Sequence, residues 1–541
     1  MPEPKPRTSI FTSPFWGTLL YTLPAVALIA LAYVFANYRV RHALGLLWLG
    51  YGIPLIIIGV LAGLLLLLAL ITVARSMRLT DPPPPSRAWS CLPFLAGIVL
   101  AGFVTMAFLF GHRPVSDLSD PDRLTNLQSA KLESDTETES SKDWPQWRGP
   151  RRDGISRETG LNLDWKATPP RVLWEKPVSG GYSSPSVADG RVYVTDRDGK
   201  NERVLCFDAE TGEELWVYSY PNDYGNLEYG AGPRATPTVH DGRVYTLGAT
   251  GTFLCLEATP ADRQPKVLWR HDLMDELDTE PPRWGVASSP LIEKDLVIVM
   301  PGGPNGCVTA FDRVSGKLVW KALGDVGGYS SPIACTAAGA RQIICLTGEA
   351  LHALKPEDGS VLWSYPWVTT FEGNIATPIV AGNYVFISSS YNKGCALLEI
   401  FNDGGKFRAE PVYVRANKLM RNHHSTCVLV DGYLYGFDVN TNNNTAFLRC
   451  VDFRRGEERW ADRSLTKGSL IFADGCLLIQ TEDGQLVVVE ATPEGFRTRG
   501  EMKVFDSFQT WATPALVHGR LYVRDGKRLR CLDLRPPAKG P

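Results

Sequence analysis

The chain has 541 residues, 44% of them apolar and 21% charged, with a formal charge of −2. That is ample for a large core, and the charge balance argues against nucleic acid as the main partner. Its eleven cysteines include no CxxC, CxxCH or adjacent pair, so a zinc knuckle, an attached haem or a vicinal disulfide is not encoded.

A tail over 1–16 precedes three stretches without Asp, Glu, Lys or Arg, at 17–37, 43–74 and 88–111. They run 21, 32 and 24 residues, and about 20 apolar residues cross a bilayer's hydrocarbon. Three transmembrane helices are expected, the second long or tilted. Lys5, Arg7, Arg75, Arg78 and Arg87 fall on one side, and Arg39, Arg41, Arg113 and Arg123 on the other. The excess leans toward a cytoplasmic N-terminus, as in a multi-pass protein of the bacterial inner membrane with its C-terminal part in the periplasm. A cleaved signal peptide in place of the first span would leave that part on the same side. Residues 112–142 are rich in Ser, Thr, Asp and Glu without apolar period, the pattern of a flexible tether.

From residue 143 the chain repeats. "DAETGEELW" (Asp208, Gly212, Trp216), "DRVSGKLVW" (Asp312, Gly316, Trp320) and "DFRRGEERW" (Asp452, Gly456, Trp460) share one spacing, and "KPEDGSVLW" (Lys355, Gly359, Trp363) keeps it with Lys for the acid. This is a hairpin: a strand end, a polar turn whose Gly supplies positive φ, then a returning strand led by Trp. Ser184-Pro185, Thr236-Pro237, Ser289-Pro290, Ser331-Pro332, Thr377-Pro378 and Thr513-Pro514 open short apolar runs, and runs near Ser425 and Ser469 lack the Pro. Pro is tolerated where a strand begins. Asp-Gly turns at Asp189, Asp241, Asp431 and Asp474 then lead into further strands. Each unit is therefore four antiparallel strands, 42 to 53 residues long where Pro marks both ends. Eight starts predict an all-β, eight-bladed β-propeller over 143–541. Cys206, Cys255, Cys450 and Cys531, each two residues before an acid in an apolar run, read as small buried hydrophobes.

The last unit ends at Asp533 without a Gly-x-x-x-Trp return, whereas "RVLWEKP" (171–177) precedes the first Ser-Pro. That segment is expected to be the outer strand of the final blade and to remove the two edges of an open arc. The lead-in "DWPQWRGPRRDG" (143–154) must then cross the propeller surface. Trp144 and Trp147 are expected to pin it onto the final blades, with a ligand or partner contact as the alternative. Arg148, Arg151 and Arg152 would snorkel over it.

In a propeller, the connections from an outer strand to the next inner strand converge on the central mouth. The residues there are Tyr182, Arg234, Trp284, Tyr329, Asn374, His423, His424, Lys467 and Trp511. Aromatics with Arg, Lys and Asn suit a planar anionic or sugar-like ligand. Alternatively the rings cap the hub and the polar groups bond backbone or water. The pair His423-His424 is expected to point to opposite sides of an extended segment, which disfavours a shared metal ion. "NTNNNT" (440–445) reads as a solvated loop, and no Gly-rich phosphate loop, GxSxG elbow or paired-carboxylate arrangement occurs.

The alternation of "SSP" or "ATP", "VYV" and "CFDAETGEELW", after a "WPQWRGP…DG" lead-in, resembles the pyrroloquinoline quinone (PQQ)-type propeller repeat superfamily over roughly residues 143–541. The resemblance implies two lines of relatives: quinoprotein dehydrogenases, and the propeller lipoprotein of the outer-membrane β-barrel assembly machinery. For the first it implies PQQ between a tryptophan and a vicinal disulfide, beside calcium and a catalytic Asp. Trp284 or Trp511 would supply the stacking ring, with Arg234, Tyr329, Asn374 and His423 as further hub-mouth candidates; the second wall and a metal set are not evident. For the second it implies a periplasmic protein partner, although no lipobox is apparent. The expectation is a membrane-anchored periplasmic module with a non-catalytic binding or scaffold role and an envelope protein partner. A PQQ-dependent oxidoreductase acting on alcohols or sugars and a polysaccharide-binding sensor are the alternatives.

Overall fold

The computed structural model describes residues 143–416 and 419–537. The tail, three apolar spans and tether expected over 1–142 lie outside the described residues. Among the described residues no helix is long and apolar enough to cross a membrane.

The strands, β1 to β32 in chain order, form eight four-stranded antiparallel sheets. Seven sheets take four consecutive strands each. The eighth joins β30 (Ala515–Val517), β31 (Arg520–Arg524) and β32 (Arg528–Asp533) to β1 (Arg171–Pro177). Arg171 stands opposite Asp533 and Trp174 opposite Cys531. The expected eight blades and the closing strand are both present.

The repeated residues hold neighbouring blades together. The hairpin Trp fills the space between its own sheet and the next, and in most blades its indole N–H donates across the gap; that of Trp363 instead bonds Gln342 of its own blade at 2.8 Å. Trp174 of blade 8 donates to Ala209 O of blade 1 at 3.2 Å, and Trp320 of blade 3 to Pro356 O of blade 4 at 2.9 Å. The turn glycine of the next blade sits on that ring. A Cβ at Gly212 (φ +70°) would lie 2.7 Å from the Trp174 ring, so the position demands Gly twice over. The Ser or Thr before each Pro is a second latch. Ser184 N–H donates to Thr236 Oγ1, Thr236 N–H to Ser289 Oγ, and Ser289 N–H to Ser331 Oγ, at 2.9 to 3.1 Å. Thr513 N–H donates to Ser184 Oγ at 2.8 Å, carrying the latch across the closure. In all six motifs the first strand starts at the residue after Pro, where no ladder bond is lost.

The lead-in departs from expectation. Residues 157–170 do run over the last blades, with Leu161 N–H on Asp474, Asn162 N–H on Leu534 O and Lys166 N–H on Arg499 O. Residues 143–156, however, enter the axial channel and plug it. Trp144 is 2% exposed and exchanges two backbone hydrogen bonds of 2.8 Å with Val187 on the inner strand of blade 1. Arg148 and Arg152 do not snorkel; each is 2% exposed. Arg148 donates to Thr426 O and Cys427 O of blade 6, and Arg152 to Ser289 O and Pro290 O of blade 3. Inner strands have an edge facing the axis, and its unpaired carbonyls attract a fork of N–H donors more strongly than solvent attracts the guanidinium. Burial pushes the two guanidinium groups down to about 10 and about 9, so both stay charged at neutral pH.

Candidate functional site

The plug closes the channel from the face that carries the turns between first and second strands, and leaves a cavity of about 120 Å³ at the other mouth. Its walls are rings: Tyr182, Tyr229, Trp284, Tyr329, Tyr391 and Trp511, with His424 beside them and Trp147 from the plug. Trp147 donates its indole N–H to Thr377 Oγ1 at 2.8 Å, which fixes that ring at the inner edge of blade 5.

Of the mouth residues expected from the repeat, Tyr182, Arg234, Trp284, Tyr329, His424 and Trp511 line this cavity. Asn374 and His423 do not. Asn374 is fully buried, bonded to Thr347 O, Trp367 O and Ser389 Oγ, and holds its loop together. His423 lies behind the wall, with Nε2 2.9 Å from the Tyr391 hydroxyl. Lys467 does not line the cavity either; it pairs with Glu482 at 3.4 Å, 5.8 Å from the Trp511 ring. Tyr229, Tyr391 and Trp147 were not among the expected set. Tyr229 belongs to the Tyr- and Gly-rich insertion ahead of Arg234, and Tyr391 to the turn between the second and third strands of blade 5, which opens on the same mouth.

The rings are mutually packed. Trp511 has two near-parallel neighbours, His424 at 3.9 Å and Tyr182 at 5.2 Å between centroids. Trp284 contacts Tyr329 at 5.0 Å and Tyr391 at 5.8 Å. Both indole N–H groups are committed to carboxylates outside the lining, Trp284 to Glu228 at 2.9 Å and Trp511 to Glu482 at 3.4 Å. Arg234 spends its N–H groups on Gly232 O, Glu228 O and Tyr229 O. What faces the cavity is therefore aromatic surface with hydroxyls between.

His423 and His424 do not diverge. The chain bends at 423–425 instead of extending, and the two rings lie 3.8 Å apart. Burial, with Lys467 nearby, pushes His423 down to about 3; burial, His423 and Lys467 hold His424 well below the usual imidazole range. Both are neutral, packed rings at neutral pH. Among the described residues no three His, Cys, Asp or Glu side chains converge as a metal site needs. The ten described cysteines are buried, each in or beside a blade strand. The hub thus supplies stacking rings with hydroxyls between them, without the adjacent cysteine pair or the carboxylate cluster that the resemblance implied for a quinone–calcium centre.

Sequence and structure comparisons agree on the architecture. The family model for outer membrane protein assembly factor BamB matches residues 156–227 and 200–445. The dehydrogenase subunit of a quinone alcohol dehydrogenase from Komagataeibacter europaeus is 32% identical over 160 residues. That match covers 26% of this chain and only 19% of the subunit's own length. Among solved structures, the quinohemoprotein alcohol dehydrogenase of Comamonas testosteroni aligns at a TM-score of 0.53 and 15% identity, over 78% of this chain and 85% of that one. The quinohemoprotein alcohol dehydrogenase ADHIIG of Pseudomonas putida HK5 aligns at 0.51 and 14%, over 78% and 83%. At such identities the structural likeness establishes the fold alone.

Proposed function

The chain belongs to the family described as outer membrane protein assembly factor BamB, and from that premise we propose that it is a binding propeller of the cell envelope whose hub works without covalent chemistry. The observation that carries this reading is the hub lining. Aromatic rings face the cavity, the one imidazole among them is neutral, and no carboxylate lines it. Such a surface gains affinity by stacking and apolar burial, with hydroxyls to orient a ligand. Its one imidazole, held well below the usual range by burial, is a weak base. The three apolar spans before residue 112 would tether the domain to the inner membrane, with the propeller in the periplasm and a protein partner there.

The test is made on the full-length, detergent-solubilised chain. Photo-crosslinking from position 229 at the mouth should capture a defined envelope partner, and Trp284→Ala should abolish the capture. Stoichiometric uptake of PQQ with calcium, coupled to dye-linked oxidation of alcohols or sugars, would overturn the reading in favour of a quinone oxidoreductase, which the Komagataeibacter match supports. Stacking rings also suit sugar faces. Saturable quenching of tryptophan emission by an oligosaccharide would move the reading to a polysaccharide sensor.

A further inference from the structure

Blade 4 carries, on its outer side and away from the hub lining, a hydrogen-bonded chain of Ser, His and Asp. Ser364 lies on β17 (Val361–Pro366), directly across from His352 on β16 (Ala350–Leu354). The Ser364 hydroxyl is 2.7 Å from His352 Nδ1, and His352 Nε2 is 2.8 Å from Asp325 Oδ2. Asp325 comes from the connection between blades 3 and 4 and also accepts from the Thr347 hydroxyl at 2.7 Å. The histidine is buried and the serine exposed.

Three features separate this from an ordinary cross-strand polar pair. The carboxylate fixes the tautomer: Nε2 must carry the proton toward Asp325, which leaves the Nδ1 lone pair on the serine hydroxyl. The backbone adds an electrophile. Trp367 N–H donates to Glu349 O at 3.0 Å, which sets the ladder so that Trp363 and Tyr365 turn their N–H groups toward β16 and Ser364 turns its own outward. As β17 is the outermost strand of its sheet, that N–H has no ladder partner and stands beside its own Oγ, as an oxyanion donor must. Finally, the arrangement is peculiar to blade 4. The same cross-strand position holds Thr309 and Lys321 in blade 3, and Ala396 and Val414 in blade 5.

We infer that Ser364 is an activated nucleophile that cleaves small, unhindered acyl esters at the open edge of blade 4. Ser364 Oγ attacks the ester carbonyl while its proton passes to His352 Nδ1, and the outward Ser364 N–H receives the developing oxyanion. The carbon–oxygen bond to the alcohol breaks, and the leaving oxygen takes the proton from His352. Water then attacks the acyl-serine with His352 again as base, so ester and water become acid and alcohol. Asp325 orients the imidazole and touches no reacting atom.

A fluorophosphonate probe on the full-length chain tests this, since the same attack expels fluoride and leaves a phosphonyl group on the serine. One adduct, mapped to Ser364, is expected; Ser364→Ala should remove it with the melting temperature unchanged. His352→Gln should slow labelling about 100-fold, and p-nitrophenyl acetate hydrolysis should fall in parallel. Labelling elsewhere but not on Ser364, or wild-type rates in a folded His352→Gln chain, would overturn the inference. Should that variant fold poorly, the wild-type chain answers the same question. Unfolding in urea must abolish labelling, and equal labelling of the unfolded chain sinks the proposal.

Discussion

The two ends of the axial channel solve different problems. At the mouth, connection after connection contributes a ring, so the wall is assembled from many blades and inherits the period of the repeat. At the opposite end one continuous segment, 143–156, reaches the inner edges of blades 1, 2, 3, 5, 6 and 7. A repeat can build a wall, because each copy faces its neighbour in the same way. It cannot seal its own axis, where identical edges present the same unpaired carbonyls inward; that takes a non-repeating strand rich in donors. Arg148 and Arg152 are those donors.

If the plug carries stability and the mouth carries binding, the largest effect comes from removing the plug. A chain starting at Pro169 keeps β1 but loses Trp144, whose burial alone is worth about 3–5 kcal/mol, and it strands the carbonyls the arginines had satisfied. Its thermal midpoint should fall by about 10 °C or more against a chain starting at Asp143. Equal midpoints would leave the segment no structural role. Arg148→Met is the sharper version. It keeps the stem but deprives four carbonyls, those of Arg152, Asp153, Thr426 and Cys427, of a donor. A loss of about 3 kcal/mol in denaturant unfolding is expected, with the hub ligand affinity little changed.

How much of this was legible in advance follows the same division. The Asp-x-x-x-Gly-x-x-x-Trp spacing and the orphan Trp174 led to eight sheets and to the closing pair Arg171–Asp533, because both are consequences of local hairpin geometry repeated. The mouth was legible in part. Trp284, Tyr329 and Trp511 precede blade starts and do line the cavity, whereas Asn374, at an equivalent position, turns inward to three partners that no spacing reveals. Tyr391 escaped because second-to-third strand turns also open on the mouth. The plug escaped because an Arg-rich, Pro- and Gly-punctuated stretch has the composition of a surface loop. Only the axial carbonyls, which exist once the ring is closed, make it a core element.

The mouth should show itself in pH dependence before the plug does. His423 is neutral in the folded hub with its pKa near 3, against an ordinary value of 6.5. Between those values the unfolded chain binds the proton and the folded one does not, so stability is full above about pH 6.5 and is lost as pH falls toward 3. A loss on the order of a few kcal/mol across that window is expected for His423 alone. Stability measured by denaturant titration at pH 7, 5.5 and 4.5 should decline in the wild-type chain and decline less in His423→Gln. Identical slopes would mean that the imidazole is not held neutral.

The smallest change in stability belongs to the residue with the largest role at the mouth. Trp511 is only half-buried, and its near-parallel contacts with Tyr182 and His424 are worth about 0.5–1.5 kcal/mol each beyond area burial. Trp511→Ala should therefore cost about 1–2 kcal/mol, less than Arg148→Met, while opening the wall between two rings and removing capture of the hub ligand. Trp144→Ala should do the reverse, losing stability and retaining capture. Measured together, unfolding free energy and ligand capture place the two tryptophans at opposite corners. If Trp511→Ala unfolds the domain as readily as Trp144→Ala, the rings at the mouth are simply more core, and the hub has no free surface to offer a ligand.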